Sequence, residues 1–257
     1  MELAGHCIAV TGGESGIGKA TALAMGRAGA RVALTYFRDE AAANSVVAEI
    51  KGAGGQALAL RTDVGDETMV DALFTAAEKA FGPVRFLVNS AGLNMSDTPV
   101  EQMELAQFER IMRADLYGPF LTCRRFVRGL AGQDGGGRIV NVSSIHERAP
   151  RPGGVDYDCA KGGLAQMTAT LALELAPKRI AVNGVAPGMI LTPMNQSAID
   201  DPGELARKQA AIPWGRAGTA EDVAGLIEFL LSPKADYITG TTVTIDGALS
   251  LTIALGA

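Results

Sequence analysis

The sequence predicts an α/β fold, a doubly wound parallel sheet of seven strands with helices on both faces. Short, β-rich apolar runs alternate with longer helical patterns along all 257 residues. The runs are continuously apolar rather than alternating, as strands covered on both faces require. No composition break marks a linker and no repeat of solenoid period occurs, so one domain over 1–257 is expected.

The strands are expected at Cys7–Thr11, Val32–Tyr36, Ala57–Arg61, Val84–Asn89, Arg138–Ser143, Ile180–Val185 and Thr241–Asp246. Between them, helical patterns cover Gly18–Gly29, Asp39–Gly52, Asp66–Phe81, Pro99–Gly129, Tyr157–Ala176 and Ala220–Leu231. Asp66 and Glu67 put negative charge at a helix N-terminus, and Gly29, Gly52 and Gly82 suit C-terminal stops. The glycines around Gly135 read as a turn before a strand. Strand, helix, strand repeated in this way builds the parallel doubly wound sheet. One segment departs from the rhythm. Met189–Pro213, rich in Asn, Asp, Pro and Met, is long for a connection and is expected to be a substrate-facing loop. The helix-forming residues 204–212 inside it suit a structural role equally well.

At 47% hydrophobic and 20% charged, the chain can bury a large core. Its net charge of −5 provides no footprint for nucleic acid or anionic membrane. No apolar run approaches the roughly 18 residues of a membrane helix. The N-terminus has no basic flank before its apolar stretch, so a secretion signal is not expected and a cytoplasmic location is. Cys7, Cys123 and Cys159 lack a paired short spacing, and His6 and His146 are the only histidines, so neither a disulfide framework nor a metal site is expected.

The first strand runs into Thr11-Gly12-Gly13-Glu14-Ser15-Gly16-Ile17-Gly18, and a helix follows. Glycines there permit a tight turn and close approach of backbone to a pyrophosphate, while the helix N-terminus favours negative charge. The spacing is Gly-x-x-x-Gly-x-Gly, and its position after the first strand points to a dinucleotide site. Gly12, Ser15, Gly16, Ile17 and Gly18 are its candidate contacts. At the end of the second strand an acidic residue would hold a ribose 2′-hydroxyl and a basic one a 2′-phosphate. Tyr36 ends that strand and Arg38 follows, which favours NADP over NAD, although Glu14 in the turn would oppose the extra phosphate.

Tyr157 and Lys161 fall one turn apart on one helix face. A free tyrosine has a pKa near 10, and a neighbouring ammonium together with the positive charge of an oxidised nicotinamide favours its phenolate, which predicts a lowered pKa and proton transfer without histidine or metal. Ser144 stands 13 residues before Tyr157, at the C-terminal end of a strand, where a hydroxyl can steady a substrate oxygen.

With these residues in view, the chain resembles the short-chain dehydrogenase/reductase family, a Rossmann-type family, over essentially its full length. The motifs carrying the resemblance are Thr11–Gly18, Asp63-Val64, Asn89-Ser90-Ala91-Gly92, Ser144, Tyr157 with Lys161, Asn183, Pro187-Gly188 with Thr192, and Asp246-Gly247. The resemblance implies an NAD(P)-dependent oxidoreductase with Ser144, Tyr157 and Lys161 as catalytic residues. It implies that Asp63 and Val64 contact the adenine and that Asn89, Ala91 and Gly92 line the cofactor cleft. It further implies that Pro187, Gly188, Ile190 and Thr192 hold the nicotinamide end while Lys161 grips its ribose and Tyr157 exchanges the proton. The family carries asparagine within Asn-Leu-x-Gly in its long fourth helix, and this chain has Asp115-Leu116-Tyr117-Gly118. Asp115 either preserves a helix irregularity through its carbonyl or places a negative charge near Lys161 and raises that lysine's pKa.

Around the substrate side, Ser143–Glu147, Ala91–Leu93 and Thr192–Asn195 resemble the glucose 1-dehydrogenase branch of the family. That likeness implies polar substrate contacts at Asn94, His146 and Asn195, with Asn94 replacing an acidic residue. A sugar or polyol dehydrogenase is therefore expected, with a 3-oxoacyl-thioester or other ketone reductase as the alternative. A catalytically inactive dinucleotide-binding regulator would predict decay of Ser144, Tyr157 and Lys161, all of which are present. The resemblance implies a homotetramer, and the apolar stretch Leu249–Leu255 suits an interface or packing on its own sheet.

Overall fold

A computed structural model describes residues 2–94 and 96–254. The strands are β1 (Cys7–Thr11), β2 (Arg31–Tyr36), β3 (Gln56–Arg61), β4 (Val84–Asn89), β5 (Gly137–Val142), β6 (Ile180–Pro187), β7 (Ile190–Leu191), β8 (Gly218–Thr219) and β9 (Thr242–Ile245). The helices are α1 (Gly16–Arg27), α2 (Glu40–Gly52), α3 (Glu67–Phe81), α4 (Leu105–Met112) and α5 (Gly118–Gly129). They continue with α6 (Val155–Leu175), α7 (Gln196–Asp200), α8 (Pro202–Ala210) and α9 (Ala220–Leu231). Seven strands form one parallel sheet in the order β3-β2-β1-β4-β5-β6-β9, the doubly wound Rossmann-type arrangement, while β7 and β8 make a separate short parallel pair.

The apolar strands follow from having a core on each face. Along β1, Ile8 and Val10 enter one core with Met25, Val46 and Ile227, beneath α1, α2 and α9. Cys7 and Ala9 enter the other with Phe74, Phe126 and Leu175, beneath α3, α5 and α6. Successive side chains of a strand point to opposite faces, so a strand covered twice has no polar side to show. Each large apolar side chain fully buried here contributes roughly 1.5–3 kcal/mol.

The punctuation reads through in part. Asp66 caps α3 by accepting from the N–H groups of Thr68 and Met69 at 2.8 and 3.1 Å. Gly29 and Gly82 take left-handed φ values of 82° and 80° behind α1 and α3, but behind α2 that role falls to Gly54, not Gly52. Two expected elements are corrected. The pattern Pro99–Gly129 is not one helix. A 3₁₀ turn at Val100–Gln102 comes first and α4 begins at Leu105, after extended Met103 and Glu104; a π-helical turn at Arg113–Tyr117 then separates α4 from α5. The segment Met189–Pro213 is not a plain loop either, since it carries β7, α7 and α8. Asp201 caps α8 by accepting from Gly203 and Glu204 N–H.

The C-terminal Leu249–Ala254 forms 3₁₀ turns with Leu251 largely exposed, and Leu255 lies outside the described residues. No helix among the described residues is long and apolar enough to cross a membrane.

Candidate active site

The chain reverses its winding between β1 and β4, and crevices at such switch points, beyond the strand C-termini, are where ligands bind in open α/β sheets. The two strand ends are tied together by Thr11, whose hydroxyl accepts from Ser90 and Ala91 N–H, both at 3.0 Å. Above it the glycine-rich turn folds against β2, with Gly12 N–H donating to Thr35 Oγ1 at 3.0 Å. Gly12 has φ 63° and lies so close to the next loop that a Cβ there would be 2.9 Å from Ala91 Cα. A Cβ on Gly18 would strike the Gly12 carbonyl oxygen. Ser15 precedes α1 without making a side-chain cap bond, so the first N–H groups of that helix are left for an anion. A cradle that any Cβ would fill, ending on a helix N-terminus, fits a pyrophosphate.

The edges of the crevice hold the other cofactor candidates. Arg38 is exposed, with its guanidinium 5.5 Å from the Phe37 ring centroid, and Glu14 Oε1 accepts from Phe37 N–H at 3.4 Å. Asp63 Oδ1 accepts from Gly65 N–H at 2.9 Å, and Val64 is buried against Gly118. On the far side Gly188 packs on Asp246, and Thr192 lies over the glycine-rich turn, 3.3 Å from where a Gly16 Cβ would be.

Two candidates are placed differently. Asn89 does not offer its side chain to the cleft. Its amide donates to Asn141 Oδ1 at 2.8 Å and its oxygen accepts from Thr122 at 2.6 Å, while Asn141 donates to Thr168 at 2.9 Å. The residue joins β4, β5, α5 and α6 through a buried polar string, which leaves no unpaired amide inside. Ile190 belongs to the core beneath α9, where its methyl packs on Gly218.

The reactive group assembles as the spacing predicts. Ser144 follows β5, and Tyr157 and Lys161 lie on the inner face of α6 with Ala160 and Leu164. Ser144 accepts from His146 N–H at 3.2 Å and lies near enough to the Tyr157 phenol to favour its ionised form. Lys161 is buried, with Nζ 5.2 Å from the Tyr157 ring centroid, donating to Val142 O at 3.2 Å. Asp115, wholly buried in the π-helical turn, completes the group with Oδ2 3.0 Å from Lys161 Nζ and Oδ1 accepting from Leu93 N–H at 2.8 Å.

Burial pushes the Tyr157 phenol up, and the Asp115 and Asp158 charges add to that push. Lys161 and Ser144 pull the other way, and among the chain's own groups the net shift is upward. Burial lowers Lys161, but Asp115, Tyr157 and Glu147 outweigh it and hold the ammonium above its usual value. Both outcomes foreseen for Asp115 occur together, since the helix irregularity persists and the lysine is raised.

Sequence reasoning missed two carboxylates. Asp156, fully buried, accepts from Ser96 Oγ at 2.6 Å and from Tyr157 N–H at 2.8 Å. Glu147, its side chain 3% exposed, accepts from Ser143 Oγ at 2.7 Å. The Ser96–Asp156 contact spans 60 residues and leaves no local signal. On the substrate side His146 meets the Tyr157 ring edge-on at 6.2 Å, with Nδ1 2.8 Å from Ala149 O. A carbonyl only accepts, so Nδ1 carries a proton in this contact. Asn94 Nδ2 donates to Met194 O at 3.4 Å and Asn195 Nδ2 to Ile190 O at 2.8 Å, so both amides brace the segment after β7. Beside His146 opens a cleft of about 840 Å³, with Pro99, Val100, Pro150, Pro152 and Val155 among its walls.

A family described as enoyl-(acyl carrier protein) reductase matches residues 12–250. The 3beta-hydroxysteroid dehydrogenase 1 of Eggerthella lenta is 39% identical over 250 residues, covering 97% of this chain and 95% of that protein. Glucose 1-dehydrogenase 2 of Bacillus subtilis is 35% identical over 252 residues, covering 97% and 96%. A crystallised short-chain dehydrogenase/reductase from Serratia marcescens superposes with a TM-score of 0.90 at 32% identity, covering 97% of this chain and 100% of that one. The chain belongs to the short-chain dehydrogenase/reductase family. It is an NAD(P)-dependent oxidoreductase acting on CH–OH or carbonyl groups. The family resemblance seen in the motifs is thereby established.

Proposed function

We propose that this short-chain dehydrogenase/reductase interconverts a neutral alcohol and its carbonyl compound, with a sugar or polyol as first substrate class and NADP as favoured nucleotide. The observation that carries the proposal is the meeting of the Ser144 hydroxyl, the Tyr157 phenol and the Lys161 ammonium at one end of the glycine-lined crevice. The bound nicotinamide supplies or accepts the hydride. The protein does the rest. Gly12 and residues 15–18 hold the pyrophosphate, Asp63 and Val64 border the adenine, and Gly188 and Thr192 border the nicotinamide end. Lys161 has three donors, and Val142 and Asp115 take two, so one serves a ribose hydroxyl. Ser144 steadies the reacting oxygen and Tyr157 exchanges its proton.

Charge supports a neutral substrate. Asp115 lies 3.0 Å from the Lys161 ammonium and the Glu147 carboxylate also acts on it, so a carboxylate or phosphate brought there would meet like charge. The His146 ring, edge-on to Tyr157, offers a polar nitrogen that suits a hydroxyl next to the reacting carbon, as polyols and sugars have. The apolar walls of the neighbouring cleft support a second reading, a bulky apolar ketone or alcohol.

Nucleotide choice rests on Arg38, exposed beyond a strand end that carries no carboxylate. Arg38→Ser is expected to weaken NADP binding about tenfold, as loss of one charge-assisted contact implies, and to leave NAD binding nearly unchanged in a fluorescence titration. Equal losses for both nucleotides would remove Arg38 from the 2′-phosphate. Substrate class is tested by following reduced nicotinamide with aldoses, polyols, hydroxysteroids and oxoacyl thioesters. Turnover of thioesters with no response to any neutral alcohol or ketone would defeat the proposal.

A further inference from the structure

We propose that Asp115 is a positioning residue that cancels the Lys161 charge, keeping Tyr157 a protonated phenol at neutral pH and so tuning the site for carbonyl reduction. The inference rests on Tyr157 exchanging the proton as proposed above. The geometry carries it. One oxygen of the Asp115 carboxylate accepts from Leu93 N–H at 2.8 Å, and the other lies in an ion pair 3.0 Å from the Lys161 ammonium. Burial raises the Asp115 carboxyl, and the Lys161 ammonium foremost, with the Leu93 N–H, pulls it back toward the anion. Gly92 presses on the pair from the loop after β4, where a Cβ would come within 2.7 Å of Oδ2.

A lone ammonium near a phenol stabilises the phenolate, but an ammonium already matched by a carboxylate does so far less. The other groups around the phenol do not restore the lost charge. On α6 itself stand Asp158 and, one residue away, Asp156. On the connection after β5 stand Ser144, the His146 ring and Glu147, whose carboxylate faces Lys161. On the π-helical turn stands Asp115. Lys161 is the cation among them. Burial is the largest cause of the phenol's upward shift, and Asp115 adds to it against the pull of Lys161.

In the reductive direction the Tyr157 O–H proton passes to the carbonyl oxygen while a hydride from the reduced nicotinamide reaches the carbonyl carbon. The products are the alcohol, oxidised nicotinamide and a tyrosine phenolate that regains its proton from solvent. The step needs the phenol, and the reverse step needs the phenolate. A phenol kept high in pKa therefore extends the reductive plateau into alkaline pH and delays the onset of oxidation.

The test reads tyrosine ionisation by ultraviolet absorbance in the cofactor-free protein, as the difference between a parent and the same parent carrying Tyr157→Phe. In the wild-type pair Tyr157 is expected to ionise above the free value of about 10. In the Asp115→Asn pair it is expected to ionise at least about one unit lower, which is tenfold more phenolate at fixed pH. The alkaline limb of reduction and the rising limb of oxidation move down by the same amount. A wild-type ionisation at or below the free value overturns the proposal without any variant at position 115. An unchanged titration in Asp115→Asn overturns it too. Neither readout depends on turnover, so failure here is distinct from failure of the Tyr157 assignment, which full activity of Tyr157→Phe alone would show.

Discussion

Tyr157→Phe is expected to lower turnover by about 10²–10⁴-fold on the best substrate while leaving nucleotide affinity and thermal stability close to wild type. The magnitude is what one positioned acid/base contributes. Phenylalanine keeps the ring against His146, the Lys161 ammonium, Ile111 and Ala160, so the packing that orders the site survives. Only the hydroxyl goes, with its interaction with Ser144. Loss confined to kcat, measured beside a fluorescence titration of the nucleotide, would assign the hydroxyl to proton transfer. A variant with the wild-type rate would remove Tyr157 from the chemistry and leave the inactive-regulator or another mechanism to consider.

The parts of this molecule legible in its sequence are those whose cause is local. Each central strand reads as apolar because both its faces meet a core, and the turn after β1 reads as a phosphate cradle because Gly12 and Gly18 admit no side chain. Tyr157 and Lys161 read as partners because one helical turn brings them together. The misreadings have non-local causes. Hydrophobic periodicity cannot show the π-helical turn at Arg113–Tyr117, where the Asp115 carboxylate answers Lys161 from 46 residues away. The motif around Asn89 signals its place beside the crevice, but not that its side chain is spent on Thr122 and Asn141. The spacing of Tyr157 and Lys161 shows the neighbouring ammonium but not the burial and the carboxylate that oppose it.

The second large effect belongs to Lys161. Lys161→Met is expected to lose turnover as severely as Tyr157→Phe and, unlike it, to lose stability, by about 3–5 kcal/mol at neutral pH, the cost of stranding one member of a buried pair. The size of the loss must depend on pH. Burial pushes the Asp115 carboxyl up, and Lys161 is foremost among the groups that pull it back. The carboxyl is raised even with the lysine in place, and without it Asp115 binds a proton in the folded chain still more tightly than in the unfolded one, where carboxylates titrate near 3.9. A group raised in the folded state contributes fully below its unfolded pKa, and that contribution is lost as pH rises through the folded value. The deficit of Lys161→Met, read from denaturant midpoints, should therefore shrink on acidification and grow toward neutrality. Adding Asp115→Asn removes the stranded charge, so the double variant should regain most of the stability and lose the pH dependence while staying inactive. A Lys161→Met protein as stable as wild type at every pH would mean that Asp115 finds water or another donor, and that the pair does not hold the two elements together.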